Sequence, residues 1–383
     1  MWTMNRGKTQ VLLGGLAIAV ATVGAFLVSG CGRGASGLRI GVLFPMTGEA
    51  GSYGEKGRDA VLLAVDEVNA SGGVHGQPVR AFFEDSKADP ATGMSAARKL
   101  ISADRVNAIE GDIVSAVTLA VAPIAESNHV VLLSPTSSAP AIADAGEYVY
   151  RIWPSDLEEG RAIATYAATA GYRRAGVLYM NNDYGQAIAG IFKSRFHELG
   201  GGVVSLEGYQ GSDSDFRPFL AKLRSSRADV LYIAGYFADT ATIVRQAREV
   251  GITVPLLGTT AIEDPQFLNL AGPAAEGIVY PLATGFDPST GDPVGSAFVK
   301  AFRSRYRREP GWVEAHSYDA FKLLCYVAER SQIPLTGEEL RRGLDNMGAY
   351  QGVTGSIRFD RNGDVVKPVV LKVVRGGRFA RLR

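Results

Sequence analysis

The chain has 383 residues, 46% of them apolar, which is enough for two domains with a real buried core. Its 40 lysines and arginines balance 39 acidic residues, which excludes a broad basic face for nucleic-acid phosphates or an anionic membrane and points to a small-molecule partner. The 46 glycines are scattered between apolar runs, which excludes a collagen-like or low-complexity chain.

The first thirty residues read as an export signal. Arg6 and Lys8 supply a positive start, residues 11–28 form an uncharged apolar stretch, and small residues lead into Cys31. A stretch of this length only just reaches the lower limit for spanning a bilayer. Val28-Ser29-Gly30-Cys31 resembles the bacterial lipobox, which implies cleavage before Cys31 and lipidation of its thiol. Loss of residues 1–30 removes two positive charges and turns the formal net charge from +1 to −1. Cys325 is then the only other cysteine, so no internal disulfide is expected, and its place in an apolar helical pattern makes it a small core residue. Residues 32–37, GRGASG, satisfy the dinucleotide-binding pattern formally. They lack the preceding strand and following helix that the pattern needs, so residues 31–37 read as a tether.

From residue 38 onward, apolar strand-like runs alternate with amphipathic helical stretches, the signature of a parallel α/β architecture. Strands are expected at 38–44, 79–84, 108–111, 130–134 and 148–153, with helices at 54–70, 89–102 and 115–128 between the first four. Asp89-Pro90 is a cap followed by a first-turn proline, and Ser155 with Glu158 forms a capping box that opens the next helix. The pattern then repeats: strands at 176–180, 203–209, 230–235, 255–258 and 277–280, helices at 186–199, 217–226 and 238–250. Two similar α/β units in series are implied. After Pro281 the order changes to helices at 293–307, 313–330 and 336–346 and a hairpin around 360–364.

Four ordered stretches carry a family likeness: IGVLFPMTGEAGSYGEKGRDAVLLAVDEVNASGGVHGQPV at the start, SPTSSAP at 134–140, NNDYG at 181–185 and AGYFAD at 234–239. With them the chain resembles the type I periplasmic solute-binding proteins, in the leucine/isoleucine/valine-binding branch that feeds ATP-driven importers. The resemblance implies an α/β fold of two doubly wound lobes joined by a three-segment hinge, closing on a ligand in the cleft between them. Lobe 1 is expected to comprise residues 38–153 and 284–355, lobe 2 residues 154–283 and 356–383, with crossovers near Trp153, Ala283 and Gly355.

Open α/β sheets bind ligands where strand ends meet helix starts. Ser115 follows the strand at 108–111 and is expected to cap the next helix, so its hydroxyl and the free N–H groups there suit an anion such as a carboxylate. Thr136 and Ser138 lie in a loop pinned by Pro135 and Pro140 and add donors from the other side. Under the resemblance, these three grip the α-carboxylate of an amino acid, and Tyr53, Tyr184, Tyr236 and Tyr318 line the cleft. The family usually pairs the ligand ammonium with a carboxylate in the loop after the 255–258 strand, where this chain has Thr260. Glu263 or Asp239 is a candidate replacement; otherwise the ligand is a carboxylate without the amine, or an amide-like solute.

The four histidines, 75, 129, 197 and 316, show no metal-ligand spacing, and no nucleophile, Walker or zinc-protease motif is present. Asp360–Asp364 lacks the spaced acids and final glutamate of a calcium loop and reads as a turn. No enzyme activity, metal or cofactor is therefore expected. The expectation is a monomeric extracytoplasmic lipoprotein that delivers an amino acid or related small carboxylate to an ABC permease. The alternatives are a ligand sensor of the same fold and a binder of amides, urea or aromatic and aliphatic acids.

Overall fold

A computed structural model describes residues 37–283, 286 and 292–382; the expected signal segment, most of the tether and Cys31 lie outside these. The first half builds a parallel sheet from β1 (Arg39–Phe44), β2 (Arg80–Asp85), β3 (Ala108–Gly111), β4 (Val131–Ser134) and β5 (Val149–Arg151), in the order β2-β1-β3-β4-β5. The connecting helices are α1 (Gly51–Ala70), α2 (Pro90–Ser102) and α3 (Ser115–Ser127). β3 and β4 are wholly buried, as expected of short strands covered on both faces by helices. Asp89 caps α2 by accepting from the Thr92 N–H at 2.8 Å, with Pro90 in the first turn as the sequence predicts.

The second half repeats the plan. After α4 (Asp156–Thr169) come β6 (Arg174–Met180), α5 (Asp183–Glu198), β7 (Gly202–Tyr209), α6 (Arg217–Ser225), β8 (Val230–Ala234), α7 (Phe237–Glu249), β9 (Leu256–Leu257), α8 (Pro265–Ala271) and β10 (Val279–Ala283). Their strands run β7-β6-β8-β9-β10, the same relative order as in the first sheet. Each sheet therefore has its topological switch point beside its first strand, between β1 and β3 and between β6 and β8.

The tail returns to both halves. Helices α9 (Pro293–Tyr306), α10 (Trp312–Arg330) and α11 (Gly337–Asn346) join the first: α10 packs along α1 and α11 against β4. The small hairpin of β11 (Tyr350–Gly352) and β12 (Gly355–Ile357) is fixed to α10 by the buried Asp319, which accepts from the Val353 and Thr354 N–H groups at 2.9 and 2.8 Å. Finally β13 (Val369–Arg375) pairs antiparallel with β10, and β14 (Arg378–Arg381) with β13, at the edge of the second sheet.

The hairpin expected around 360–364 is reduced to a turn closed by a single bridge between Phe359 and Val365, with no paired strands. Gly363 has φ +72°, and a Cβ there would meet the Val149 carbonyl oxygen at 2.5 Å, so glycine is required twice over. The chain regains the second sheet through residues 358–368, beyond the Gly355 expected from sequence, because β12 is still committed to the hairpin on α10. Sequence periodicity also missed α8, which is only seven residues long, and the β13–β14 pair. Among the described residues no helix is long and apolar enough to cross a membrane.

Candidate functional site

The C-terminal ends of strands from both sheets converge on one cavity. From the first sheet come Tyr53 in the first turn of α1, Ile113, Val114 and Ser115 after β3, and Thr136 and Ser138 after β4. Tyr184 in the first turn of α5, Tyr236 immediately before α7, and Thr260 and Ala261 after β9 face them from the second. These segments follow β1, β3, β6 and β8, so the cavity lies at both switch points, the position open α/β sheets reserve for ligands. Trp153, Glu159 and Trp312 complete the lining.

The polar wall is built around Ser115. The residue before α3 is Val114, which has no side-chain oxygen, and nothing else caps that helix. Ser115 is thus the first helical residue rather than the cap expected from sequence. Its Oγ accepts instead from the N–H groups of Ser138 and Ala139, at 3.1 and 3.2 Å, locking the loop after β4 onto α3. That use leaves the Ser115 hydroxyl proton and the Ser115 and Ala116 N–H groups as donors for an anion, the Val117 and Thr118 N–H groups being bonded to the Val114 carbonyl. Thr136 donates to the Ile113 carbonyl at 3.3 Å and so joins the same frame.

The other wall is aromatic. Trp153 and Trp312 have ring centroids 4.9 Å apart, Trp312 and Tyr53 5.9 Å, and Tyr53 and Tyr236 5.9 Å; Tyr184 then stacks on Tyr236 at 5.7 Å. Such a belt offers apolar area with polar tips. Tyr53 also reaches across, donating from its hydroxyl to the Ala261 carbonyl at 2.9 Å. The start of α10 is fixed where the Glu314 carboxylate accepts from the Gly311 N–H at 2.9 Å, and the Trp312 indole N–H donates to the Glu263 carbonyl at 3.1 Å.

Tyr318, expected in the lining, is elsewhere. Six residues beyond Trp312 on α10, about 1.7 turns, it emerges on another face, where its hydroxyl donates to Glu67 and its ring packs on Phe298. Neither carboxylate offered in place of Thr260 lines the cavity. Glu263 accepts from Tyr280 and pairs with Lys372. Asp239 stands apart, pushed up to about 7 by burial and by the nearby Glu49 charge.

The carboxylate that does line the cavity is Glu159, in the first turn of α4. It is buried, one of its oxygens is 2.6 Å from the Thr260 hydroxyl, and the other has no hydrogen-bond partner. Burial, then the neighbouring Asp156, pushes its carboxyl up to about 8. Asp156 is buried beside it, and burial lifts it to about 7 against the pull of the neighbouring Ser138 hydroxyl and the Arg151 charge. Among the described residues no lysine, arginine or histidine lines the cavity. Glu159, Trp153 and Trp312 were not singled out from sequence; the one available signal was an acid in the first turn of the helix that follows the first crossover.

A ligand cavity held between two parallel sheets of identical strand order, at the switch point of each, defines a two-lobed solute-binding protein. The chain belongs to the periplasmic binding protein family, whose model matches residues 37–378. It is 25% identical, over 94% of its length and 95% of the relative's, to a leucine-, isoleucine-, valine-, threonine- and alanine-binding protein of Pseudomonas aeruginosa. Among solved structures it is similar to a leucine-binding protein from Thermotoga maritima, with TM-score 0.84, 30% identity and coverage of 90% of this chain and 98% of that one. A branched-chain amino acid transporter substrate-binding protein from Streptococcus pneumoniae, solved with isoleucine, matches with TM-score 0.82, 26% identity and the same coverage.

Proposed function

We propose that this protein is the extracytoplasmic substrate-binding component of an ABC importer and captures a small amino acid, of branched-chain type, in the cavity between its two halves. The observation that carries this reading is the convergence of Ser115, Thr136 and Ser138 from one sheet and Tyr184, Tyr236 and Thr260 from the other around a single cavity. The hydroxyls and the α3 N-terminus suit the ligand carboxylate, and the aromatic belt with Ile113, Val114 and Ala261 suits an apolar side chain. The lobes would be residues 38–153 with 284–355, and 154–283 with 356–383, hinged through the segments near Trp153 and Ala283 and the one ending the tail crossover. Export and lipidation at Cys31 would tether the receptor to a membrane, and the closed monomer would present its solute to the permease.

Thermal unfolding of the purified protein against a panel of amino acids, amides and aliphatic or aromatic acids tests this. A true ligand at 100 times its Kd adds about 2.7 kcal/mol of stability. Leucine, isoleucine or valine is expected to raise the Tm, and a panel in which no small carboxylate does so would overturn the reading.

A further inference from the structure

We infer that Glu159 is the anchor for a positively charged amine, so that the site takes α-amino acids and rejects the corresponding amine-free acids. This rests on the proposed reading of the cavity as a small-carboxylate site and names the part of the ligand that the reading leaves open.

Glu159 is 1% exposed, forms part of the cavity wall and has one oxygen with no donor at hydrogen-bond geometry, the Trp153 indole and the Thr260 N–H acting only weakly on its charge. Three residues earlier on the same helix, Asp156 is equally buried, with only the Ser138 hydroxyl and the committed Arg151 acting on its charge. Buried carboxylates ordinarily have a cation or several donors beside them. Here the nearest guanidinium, Arg151, is already held by Asp364 and the Ala139 carbonyl. The Thr260 hydroxyl has one proton but two close acceptors, Glu159 Oε2 at 2.6 Å and the Pro281 carbonyl at 2.8 Å. Thr260 donating to Pro281 while a protonated Glu159 donates to Thr260 satisfies both close contacts of the Thr260 hydroxyl in the ligand-free cavity. An ammonium group replaces that proton: it pairs with the ionised Glu159, and the free oxygen gains its missing donor.

The position explains the departure at Thr260. The threonine hydroxyl touches the Glu159 carboxylate, so the charge stands beside residue 260 although it is supplied by α4 rather than by the loop after β9. A ligand without an amine leaves Glu159 to keep its own proton and gains no ion pair, in a lining with no basic side chain among the described residues.

The test is calorimetric titration of the purified protein with L-amino acids, each paired with its amine-free acid, such as L-leucine with 4-methylpentanoate. Wild type is expected to bind the amino acid about 100-fold more tightly than its partner, and Glu159→Gln to lose about 100-fold of that affinity. Adding Thr260→Glu to Glu159→Gln should restore at least about tenfold. This rescue separates an anchoring role from a structural one. Leucine affinity should also rise with pH through about 8 in wild type and keep only the part due to Asp156, near 7, in Glu159→Gln. The titratable groups facing Glu159 are Asp156 on its own helix, Tyr184 of α5 and Tyr232 of β8, all buried and none basic. A Glu159→Gln protein that melts cooperatively and binds leucine as wild type does would overturn the inference alone. Equal affinity of wild type for the amine-free acid would do the same. Wild type that binds neither member of any pair overturns the small-carboxylate reading, and the inference with it.

Discussion

The oxygen of Ser115 accepts from two loop N–H groups while its proton remains available, so one side chain both shapes the anion site and serves it. Ser115→Ala removes a ligand donor and leaves the Ser138 and Ala139 N–H groups unpaired. Ligand affinity should fall about tenfold or more; isothermal titration giving an unchanged Kd would refute the role assigned to Ser115. The hydroxyl wall was legible in sequence because serine and threonine just after apolar strand runs have few other tasks. Glu159 was not legible, although Glu158 beside it was read as a capping partner. One residue on a helix is a rotation of about 100°, which turns Glu158 outward and Glu159 in. What makes Glu159 notable is the approach of Thr260 from 101 positions away, and no local pattern encodes that contact. Tyr318 failed for the opposite reason: its residue type fitted a binding wall, but its helical face belongs to the packing of α10 on α1 and α9.

At the scale of elements, the ten parallel strands were legible from their continuous apolar runs, whereas the segments that tie the two sheets together were not. The turn at 360–364 shows why. Arg151 at the end of β5 is fully buried and held by Asp364 through two bonds, Nε to Oδ1 at 2.6 Å and Nη2 to Oδ2 at 2.5 Å, while Nη1 donates to Ala139. The Arg151 N–H also donates to the Gly363 carbonyl at 3.0 Å. A residue that seemed a plain turn acid in sequence is thus the counter-charge of a guanidinium 213 positions away, beside the first and third crossovers. Asp364→Ala leaves that charge buried and unpaired, a loss of about 3–5 kcal/mol. Thermal denaturation should show a Tm drop of several degrees. Double replacement of Arg151 and Asp364 by apolar residues of similar volume should recover much of it, and a single variant as stable as wild type would show that the pair does not hold the hinge.

For the whole molecule, the contacts between the halves and the buried acids act in opposite directions. Tyr53 and Lys56 of α1 reach the second half at Ala261 and Asp264, and the Gln266 amide donates to the Ser52 hydroxyl, so α1 ties the two halves together. Closure encloses Asp156 and Glu159, raised to about 7 and about 8, where water would otherwise solvate their charges. The groups around them are Ser138, Thr260, Tyr184 and Tyr232, with Arg151 as the one cation and already paired. A carboxyl whose pKa is raised in one state takes up protons on entering that state, so the closed form gains its advantage at low pH and loses it as pH rises through the raised values. Without ligand, the radius of gyration from solution scattering should therefore increase between pH 5 and pH 9, with its midpoint near 7 to 8. A bound ammonium reverses the sign, because it needs the ionised carboxylate, and the ligand-bound protein should stay compact across the range. In Glu159→Gln the pH-dependent opening should shrink to the part due to Asp156; a radius independent of pH in the ligand-free wild type would mean that these acids do not govern closure.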